Sequence, residues 1–215
     1  MGCYLDDMQG FWDGRFEREG RVWGERPSRT AEYAMKQFGG HEINKILIPG
    51  AGYGRNSKLF SDNGYNVTGI EISKRALSLA REYDLKTKFI NSSVLQANIG
   101  RQNYDAIYCF NFLHLFRQQE RRFLVSQCHD WLKISGYIFF TVFSLEEPTF
   151  GKGREVEENT FESKPGRPVH YFSDNDLREH FSNFEILETG IMEDPENHGD
   201  EGEHIHRVAY IYAKK

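Results

Sequence analysis

The sequence predicts an α/β fold in which helices cover both faces of one mostly parallel sheet of seven strands. From Lys45 onward, short apolar runs alternate with helical patterns, the order that builds parallel βαβ units. The first apolar run ends in a glycine-rich turn. The last two runs are separated by an acidic loop with no helical pattern, so the final strand should pair antiparallel within the sheet.

Each expected strand is a short apolar run bounded by turn residues. The seven ranges are 45–48, 66–70, 87–91, 104–110, 136–143, 184–190 and 205–213. Helical spacing of apolar residues predicts helices over 28–38, after Ser73 as N-cap, and around 123–131. The crossovers between parallel strands should be right-handed.

The chain should form a single domain over residues 1–215, because 215 residues with 39% apolar composition can bury one sizeable core. Residues 1–40 are expected to form an N-terminal helical cap. Residues 144–170 are rich in glycine, proline and charge, and they follow the strand at 136–143. We interpret them as an irregular insertion that serves as a lid at the ligand-binding edge of the sheet.

Composition favours a small-molecule partner. The 27 basic residues are outnumbered by 32 acidic ones, which gives a net charge of -5 and no basic stripe for nucleic acid. No apolar stretch approaches the roughly 20 residues that span a bilayer, and the N-terminus lacks signal-peptide regions. We therefore expect a cytoplasmic protein with neither a nucleic-acid nor a membrane partner.

The glycine turn is the most informative motif. Gly50, Gly52 and Gly54 follow the first strand, and Glu71 ends the second strand. Glycines let backbone approach a ligand closely, and an acid at the end of the next strand can accept two ribose hydroxyls. The pattern therefore predicts a nucleoside-binding site.

With these residues in place, the chain resembles the class I S-adenosylmethionine-dependent methyltransferases, which have a Rossmann-like fold. The resemblance runs through five ordered segments: PGAGYG at 49–54, GIEIS at 69–73, FINSSVL at 89–95, YDAIYCFNFLHLF at 104–116 and WLKISGYIFFT at 131–141. Pro49 and Ser93 replace acids that are common in the family.

The resemblance implies S-adenosyl-L-methionine as cofactor. It places the ribose on Glu71, the adenine beside Ser93, and the methionine part near Phe110 and Asn111. The expected cofactor-binding residues from the motifs are Gly50, Ala51, Gly52, Gly54, Arg55, Glu71, Ile72, Ser93, Val94, Phe110 and Asn111. The segment GRNS and the Trp-rich N-terminus look most like the small-molecule branch, which includes thiopurine and tellurite-resistance-type methyltransferases. A non-catalytic nucleoside- or metal-binding sensor on the same fold is the alternative.

Aromatic residues near the N-terminus could cap the cofactor. Trp12, Phe16 and Trp23 offer faces compatible with a positive sulfur, and Trp12 and Phe16 share one helical face. The alternative is that they only pack this segment onto the core. Arg55 could bind the cofactor carboxylate, or it could be a solvated helix residue.

Four histidines are candidates for general base or substrate-anion binding: His114, His170, His204 and His206. The predicted topology brings all of them toward one rim of the sheet. Each could instead have a structural role, as a holder of a helix start or a hydrogen-bonding loop residue. A metal held by His204, His206 and a carboxylate such as Glu203 is less favoured, because no third ligand stands at a defined spacing, and we expect no metal.

Overall fold

The computed structural model describes residues 2–197 and 202–215, with side chains from 8–196 and 204–215. The helices are α1 (Gly2–Glu19), α2 (Arg29–Phe38), α3 (Arg55–Asp62), α4 (Lys74–Tyr83), α5 (Gln118–Trp131) and α6 (Asp174–His180). The strands are β1 (Lys45–Pro49), β2 (Asn66–Glu71), β3 (Lys88–Asn91), β4 (Tyr104–Cys109), β5 (Leu132–Phe143), β6 (Arg154–Glu157), β7 (Thr160–Lys164), β8 (Arg167–His170), β9 (Glu185–Asn197) and β10 (Glu203–Lys214).

Seven strands form one sheet in the order β3-β2-β1-β4-β5-β10-β9. Strand β1 pairs parallel with β2, β2 with β3, and β4 with β5, whereas β10 pairs antiparallel with β5. The predicted fold class, a Rossmann-like, mostly parallel sheet with an antiparallel last strand, is confirmed.

The chain forms two compact units. The first runs up to Asn98 and includes the segment from Pro195 to His204. The second comprises Ile99–Asp194 and Ile205–Lys215. The single domain expected over residues 1–215 stays a prediction.

In the first unit, helix caps and buried strands match the sequence pattern. Ser28 and Ser73 cap α2 and α4, each accepting from a backbone N–H in the first helical turn. Residues Ile46, Leu47 and Ile48 of β1 are almost completely buried, as expected for the centre of a parallel sheet. The predicted helices at 28–38 and after Ser73 are therefore confirmed.

In the second unit, aromatic and aliphatic residues of β4 and β5 form the core. Ile107, Tyr108, Phe139 and Phe140 have no exposed surface. Strand β5 begins at Leu132, four residues before the predicted start at 136. The early start is accommodated by a register shift against β4 between Tyr104 and Ala106.

The expectation that residues 144–170 are irregular is wrong for residues 154–170. Strands β6, β7 and β8 form a separate three-stranded antiparallel sheet. Its two turns have two residues each, and Asn159 and Gly166 supply the positive φ values of 53° and 72°. Pro165–Gly166 is a favoured turn pair, but its flanking strands are short and charged, so no apolar alternation signals them.

Helix α6 is a second element that the sequence pattern did not indicate. It has seven residues, with Ser173 as N-cap, acids in its first turn and bases in its last turn. Among the described helices, none is long and apolar enough to span a membrane.

Candidate active site

The glycine turn of the first unit links β1 to α3. Gly50, Gly52 and Gly54 have φ values of 68°, 56° and 87°, a region that residues with a Cβ rarely adopt. The N–H of Ala51 donates to the carbonyl of Ile70 at 3.0 Å, which fastens the turn to β2. The turn conformation therefore requires glycines, as the sequence predicted.

Space around the turn differs from one glycine to the next. A Cβ on Gly52 would meet nothing within 4 Å, whereas one on Gly54 would lie 3.4 Å from Asp84, Phe89 and Ser57. Neighbouring side chains therefore pack against Gly54, whereas the backbone of Gly52 borders open space. A cradle of this kind is what a nucleoside needs for close approach.

Glu71 lies at the end of β2 and bonds to the turn. Its Oε2 accepts from the N–H of Gly52 at 2.9 Å, and its Oε1 accepts from the N–H of Ser73 at 2.8 Å. Burial raises the pKa of this carboxyl, and the backbone hydrogen bonds from Ser73 and Gly52 oppose that rise.

These residues fit the nucleoside part of S-adenosylmethionine. Each oxygen of Glu71 holds one backbone N–H and has acceptor capacity left for a ribose hydroxyl. The open space over Gly52 leaves room beside that carboxylate. When bound, the cofactor supplies an electrophilic methyl group on a positive sulfur.

The predicted adenine side lies at the same sheet edge of the first unit, because Glu71 and Asn91 are paired in the register of β2 and β3. Asn91 Nδ2 donates to the carbonyls of Glu71 and Ile72 at 3.1 and 2.9 Å. Ser93 Oγ accepts from the N–H of Leu95 at 3.3 Å, and Val94 is buried. The adenine contacts of Ile72, Ser93 and Val94 stay predictions.

The N-terminal aromatic residues form one cluster. Trp23 stacks on Tyr53 of the glycine turn with ring centroids 6.0 Å apart, and Phe16 packs against both rings. Trp12 lies 5.9 Å from Phe16, and the guanidinium of Arg15 lies over Trp23 at 5.1 Å. These contacts establish the packing role, and the cofactor contacts of Trp12 and Trp23 stay predictions.

Arg55 is engaged by protein groups. One terminal nitrogen donates to the carbonyl of Trp23 at 3.1 Å, and the other pairs with the buried carboxylate of Glu196. Both partners belong to the first unit. Arg55 is thus a buried structural arginine, and its predicted contact with the cofactor carboxylate stays a prediction.

In the second unit, Asn111 follows the end of β4. It has a left-handed φ of 44°, and its N–H donates to the carbonyl and the hydroxyl of Thr141 at 3.1 and 2.9 Å. Phe110 stacks on Tyr108 with centroids 6.5 Å apart. Hydrogen bonds to Thr141 anchor Asn111 at this strand end. The contact of Phe110 and Asn111 with the methionine part stays a prediction.

Two of the candidate histidines stack on Phe143 in the second unit. The ring of His114 stacks on Phe143 at 4.1 Å, and the ring of His206 stacks on it at 5.1 Å. Burial lowers the pKa of His114 to about 3, so this ring is neutral at pH 7. Its Nδ1 is buried without a hydrogen-bond partner among the described residues.

His170 is bonded through both ring nitrogens. Its Nε2 donates to Oδ2 of Asp176 at 2.6 Å, and its Nδ1 lies 2.8 Å from Oγ1 of Thr160. Asp176 also contacts Nδ1 of His180 at 3.1 Å. Burial lowers the pKa of His170 despite the neighbouring carboxylate. These contacts tie β8 to α6.

His204 belongs to the first unit and is half-buried. The predicted convergence of the four histidines is thus supported for His114 and His206 around Phe143, and the charge of His170 also influences the pKa of His114. The side chain of Glu203, named in the metal alternative, lies outside the described residues. The catalytic roles of all four histidines stay predictions.

Several site residues were not predicted from the sequence. Asp13 Oδ1 accepts from Ser73 Oγ at 2.6 Å and from the N–H of Arg75 at 3.0 Å. Glu147 contacts His206 at 2.9 Å. These pairs are 60 and 59 residues apart, so no local pattern could have revealed them.

Comparisons with known proteins point to methyltransferases. Residues 46–136 match the family model described as a methyltransferase domain. The chain is 26% identical over 154 residues, 68% of its length, to the ubiquinone biosynthesis O-methyltransferase of Photobacterium profundum. It spans 63% of the length of that enzyme.

Solved structures share the fold. One was described for the conversion of a disulfide bond into a thioacetal group during echinomycin biosynthesis; its TM-score is 0.78 at 17% identity, with 97% of this chain and 92% of that chain covered. Another is the Burkholderia thailandensis 1,6-didemethyltoxoflavin-N1-methyltransferase with bound 1,6-didemethyltoxoflavin and S-adenosylhomocysteine. Its TM-score is 0.69 at 20% identity, with 99% and 87% covered.

The comparisons thus show a match to a methyltransferase domain over residues 46–136 and a fold shared with solved methyltransferases. The glycine turn and Glu71 are the residues through which the sequence predicted this class.

Proposed function

We propose that the protein transfers a methyl group from S-adenosylmethionine to a small-molecule acceptor. The observation that carries the proposal is the position of Glu71. Glu71 is the last residue of β2, and its carboxylate accepts a hydrogen bond from the N–H of Gly52. The space around that glycine is open. This arrangement can receive a ribose, and the family-model match covers it.

The acceptor is proposed to be small for two reasons. The net charge of -5 disfavours a polyanionic substrate such as nucleic acid. In addition, the relatives named above are a ubiquinone biosynthesis O-methyltransferase and a methyltransferase with 1,6-didemethyltoxoflavin bound. Small organic acceptors are therefore the first class to test, with the cytoplasm as the expected compartment.

The chain's own residues have clear tasks in this function. Glu71 and the glycine turn orient the donor, and the Trp12–Phe16–Trp23–Tyr53 cluster shields one side of the first unit from water. Methyl transfer is an in-line displacement, so alignment of donor and acceptor supplies most of the rate enhancement.

The test is calorimetric titration of the full chain with S-adenosylmethionine and with S-adenosylhomocysteine, followed by transfer assays with the methyl-labelled donor. We expect micromolar binding of both and labelled product with small phenols, thiols or amines. Folded protein that binds neither compound would refute the proposal. Tight binding of both with no transfer to any acceptor would favour the non-catalytic alternative.

A further inference from the structure

We infer that Asp13, on helix α1, is a positioning residue for the donor site formed by Glu71 and the glycine turn, and that it acts through Ser73. The inference rests on the proposed function and deepens it, because it makes the N-terminal helix a supporting element of that site. All these residues belong to the first unit. As a consequence, docking of α1 and binding of the donor should stabilise each other.

A chain of hydrogen bonds joins α1 to the glycine turn. The hydroxyl of Ser73 donates to Oδ1 of Asp13 at 2.6 Å. The N–H of Ser73 donates to Oε1 of Glu71 at 2.8 Å, and Oε2 of Glu71 accepts from the N–H of Gly52 at 2.9 Å. Ser73 therefore bonds both the carboxylate of α1 and the carboxylate proposed to bind the ribose.

The hydroxyl of Ser73 has one proton, and Asp13 determines where that proton points. The oxygen of this hydroxyl accepts from the N–H of Ala76 at 3.0 Å, as the N-cap of α4. Oδ1 of Asp13 accepts the hydroxyl proton and also the N–H of Arg75, at 3.0 Å. Asp13 thus fixes the cap residue and the first turn of α4 together, and with them the backbone N–H that orients Glu71.

Burial makes the loss of Asp13 consequential for the site. Ser73 has no exposed surface, and Glu71 is buried as well. A buried hydroxyl that loses its acceptor either stays unpaired at a cost in free energy or moves to another partner. Removal of Asp13 therefore favours a shift of Ser73 and of the N–H that it donates to Glu71.

Other contacts hold α1 in the position that this bond requires. Phe16 lies in one hydrophobic cluster with Ala76 of α4. Oε2 of Glu17 lies 2.8 Å from Nε of Arg75, but both side chains are exposed, and exposed ion pairs contribute little. The packing of Phe16 thus places α1, and Asp13 is the residue of α1 that bonds to the neighbour of the ribose carboxylate.

The first test compares ligands with and without ribose hydroxyls. Calorimetric titration of the full chain with S-adenosylhomocysteine and with its 2′,3′-dideoxy analogue gives two dissociation constants for each variant. We expect Asp13→Ala to weaken binding of S-adenosylhomocysteine about fivefold and to leave that of the dideoxy analogue within about twofold. Asp13→Asn keeps an acceptor oxygen and should retain most of the affinity of the parent chain.

Two controls separate this role from a helix cap that only stabilises α4. Glu17→Ala, one turn further along α1, removes the exposed pair and should leave both constants unchanged. In the Glu71→Gln background, Asp13→Ala should weaken binding of S-adenosylhomocysteine by no more than about twofold, because the carboxylate that Asp13 positions is gone. Equal weakening of both ligands by Asp13→Ala, or additive losses in the double variant, would overturn the positioning role.

The second test follows α1 itself by amide hydrogen exchange of the full chain. Because coupling is reciprocal, S-adenosylhomocysteine should slow exchange in α1 of the parent chain by about the same fivefold factor, and should not do so in Asp13→Ala. Helix α2 of the same unit carries none of the proposed site residues and is the reference. Unchanged exchange in α1 of the parent chain at saturating ligand would overturn the coupling.

The two levels of the proposal fail differently. A folded parent chain that does not bind S-adenosylhomocysteine would refute the proposed function and the positioning role with it. A parent chain that binds the ligand, with the same affinity in Asp13→Ala, would refute the positioning role alone.

Discussion

Replacing Glu71 by glutamine tests the donor site with the smallest change of shape. The carboxylate accepts from two backbone N–H groups, the part-buried one of Gly52 at 2.9 Å and the buried one of Ser73 at 2.8 Å. A glutamine side chain has one oxygen, so one of these N–H groups must face an amide NH₂. The substitution therefore removes one charge-assisted hydrogen bond and leaves a buried donor unpaired.

The expected magnitudes follow from these contacts. An unpaired buried donor costs about 1–3 kcal/mol, but burial of the negative charge is itself unfavourable, since the pKa of Glu71 is raised. The free energy of unfolding should therefore fall by only about 1 kcal/mol. A lost charged acceptor for the ribose hydroxyls is worth about 1.5–3 kcal/mol, which weakens binding by roughly 10- to 150-fold.

The assay is calorimetric titration with S-adenosylhomocysteine, with urea unfolding of the same preparations. Glu82→Gln is the matched control, because Glu82 is an exposed carboxylate on α4 of the same unit. It should bind S-adenosylhomocysteine as the parent chain does. If Glu71→Gln binds within twofold of the parent while remaining folded, the ribose assignment is refuted.

Three further predictions follow from the structure. Gly52→Val should abolish S-adenosylhomocysteine binding in calorimetry. Gly64→Val is the control and should not, because Gly64 also has positive φ (91° against 56°) and open space around it but lies outside the glycine turn. Equal binding by the two variants would contradict the assignment of Gly52 to the nucleoside site. Because the pKa of His114 falls to about 3 on folding, its contribution to stability is present above about pH 6.5 and is lost as the pH falls from there toward 3. His114→Phe should accordingly flatten the pH dependence of the unfolding free energy by about 1.4 kcal/mol per pH unit between roughly pH 6 and 4, and an unchanged slope in urea titrations would count against it. Asp13→Ala should lower the free energy of unfolding by about 1–2 kcal/mol, because Ser73 and the first turn of α4 lose an acceptor; a stability equal to the parent's would be inconsistent with that cap.

Local patterns predicted most of the fold. The strands of the main sheet are apolar runs, and helices α2 and α4 begin at serine caps, so short stretches of sequence carried the information. The sheet formed by β6, β7 and β8 was not predicted, because its strands have four or five residues and many charges. In such short strands the turn residues Asn159 and Gly166 are the main signal.

The candidate residues of the two units differ in how far sequence could predict them. The glycine turn and Glu71 lie within a single βαβ unit, whose geometry is shared by many nucleoside sites. The partners of the histidines are distant in sequence, as with Glu147 for His206, and only the folded chain brings them together. Asp176, which is hydrogen-bonded to His170, lies six residues further along the chain, but a turn into α6 separates the two.

The most direct test of the central claim is a crystal structure of the full chain with S-adenosylhomocysteine. The account predicts both ribose hydroxyls within hydrogen-bond distance of the Glu71 carboxylate and the ligand lying over Gly52. A ligand bound elsewhere, or ribose hydroxyls that do not contact Glu71, would contradict it.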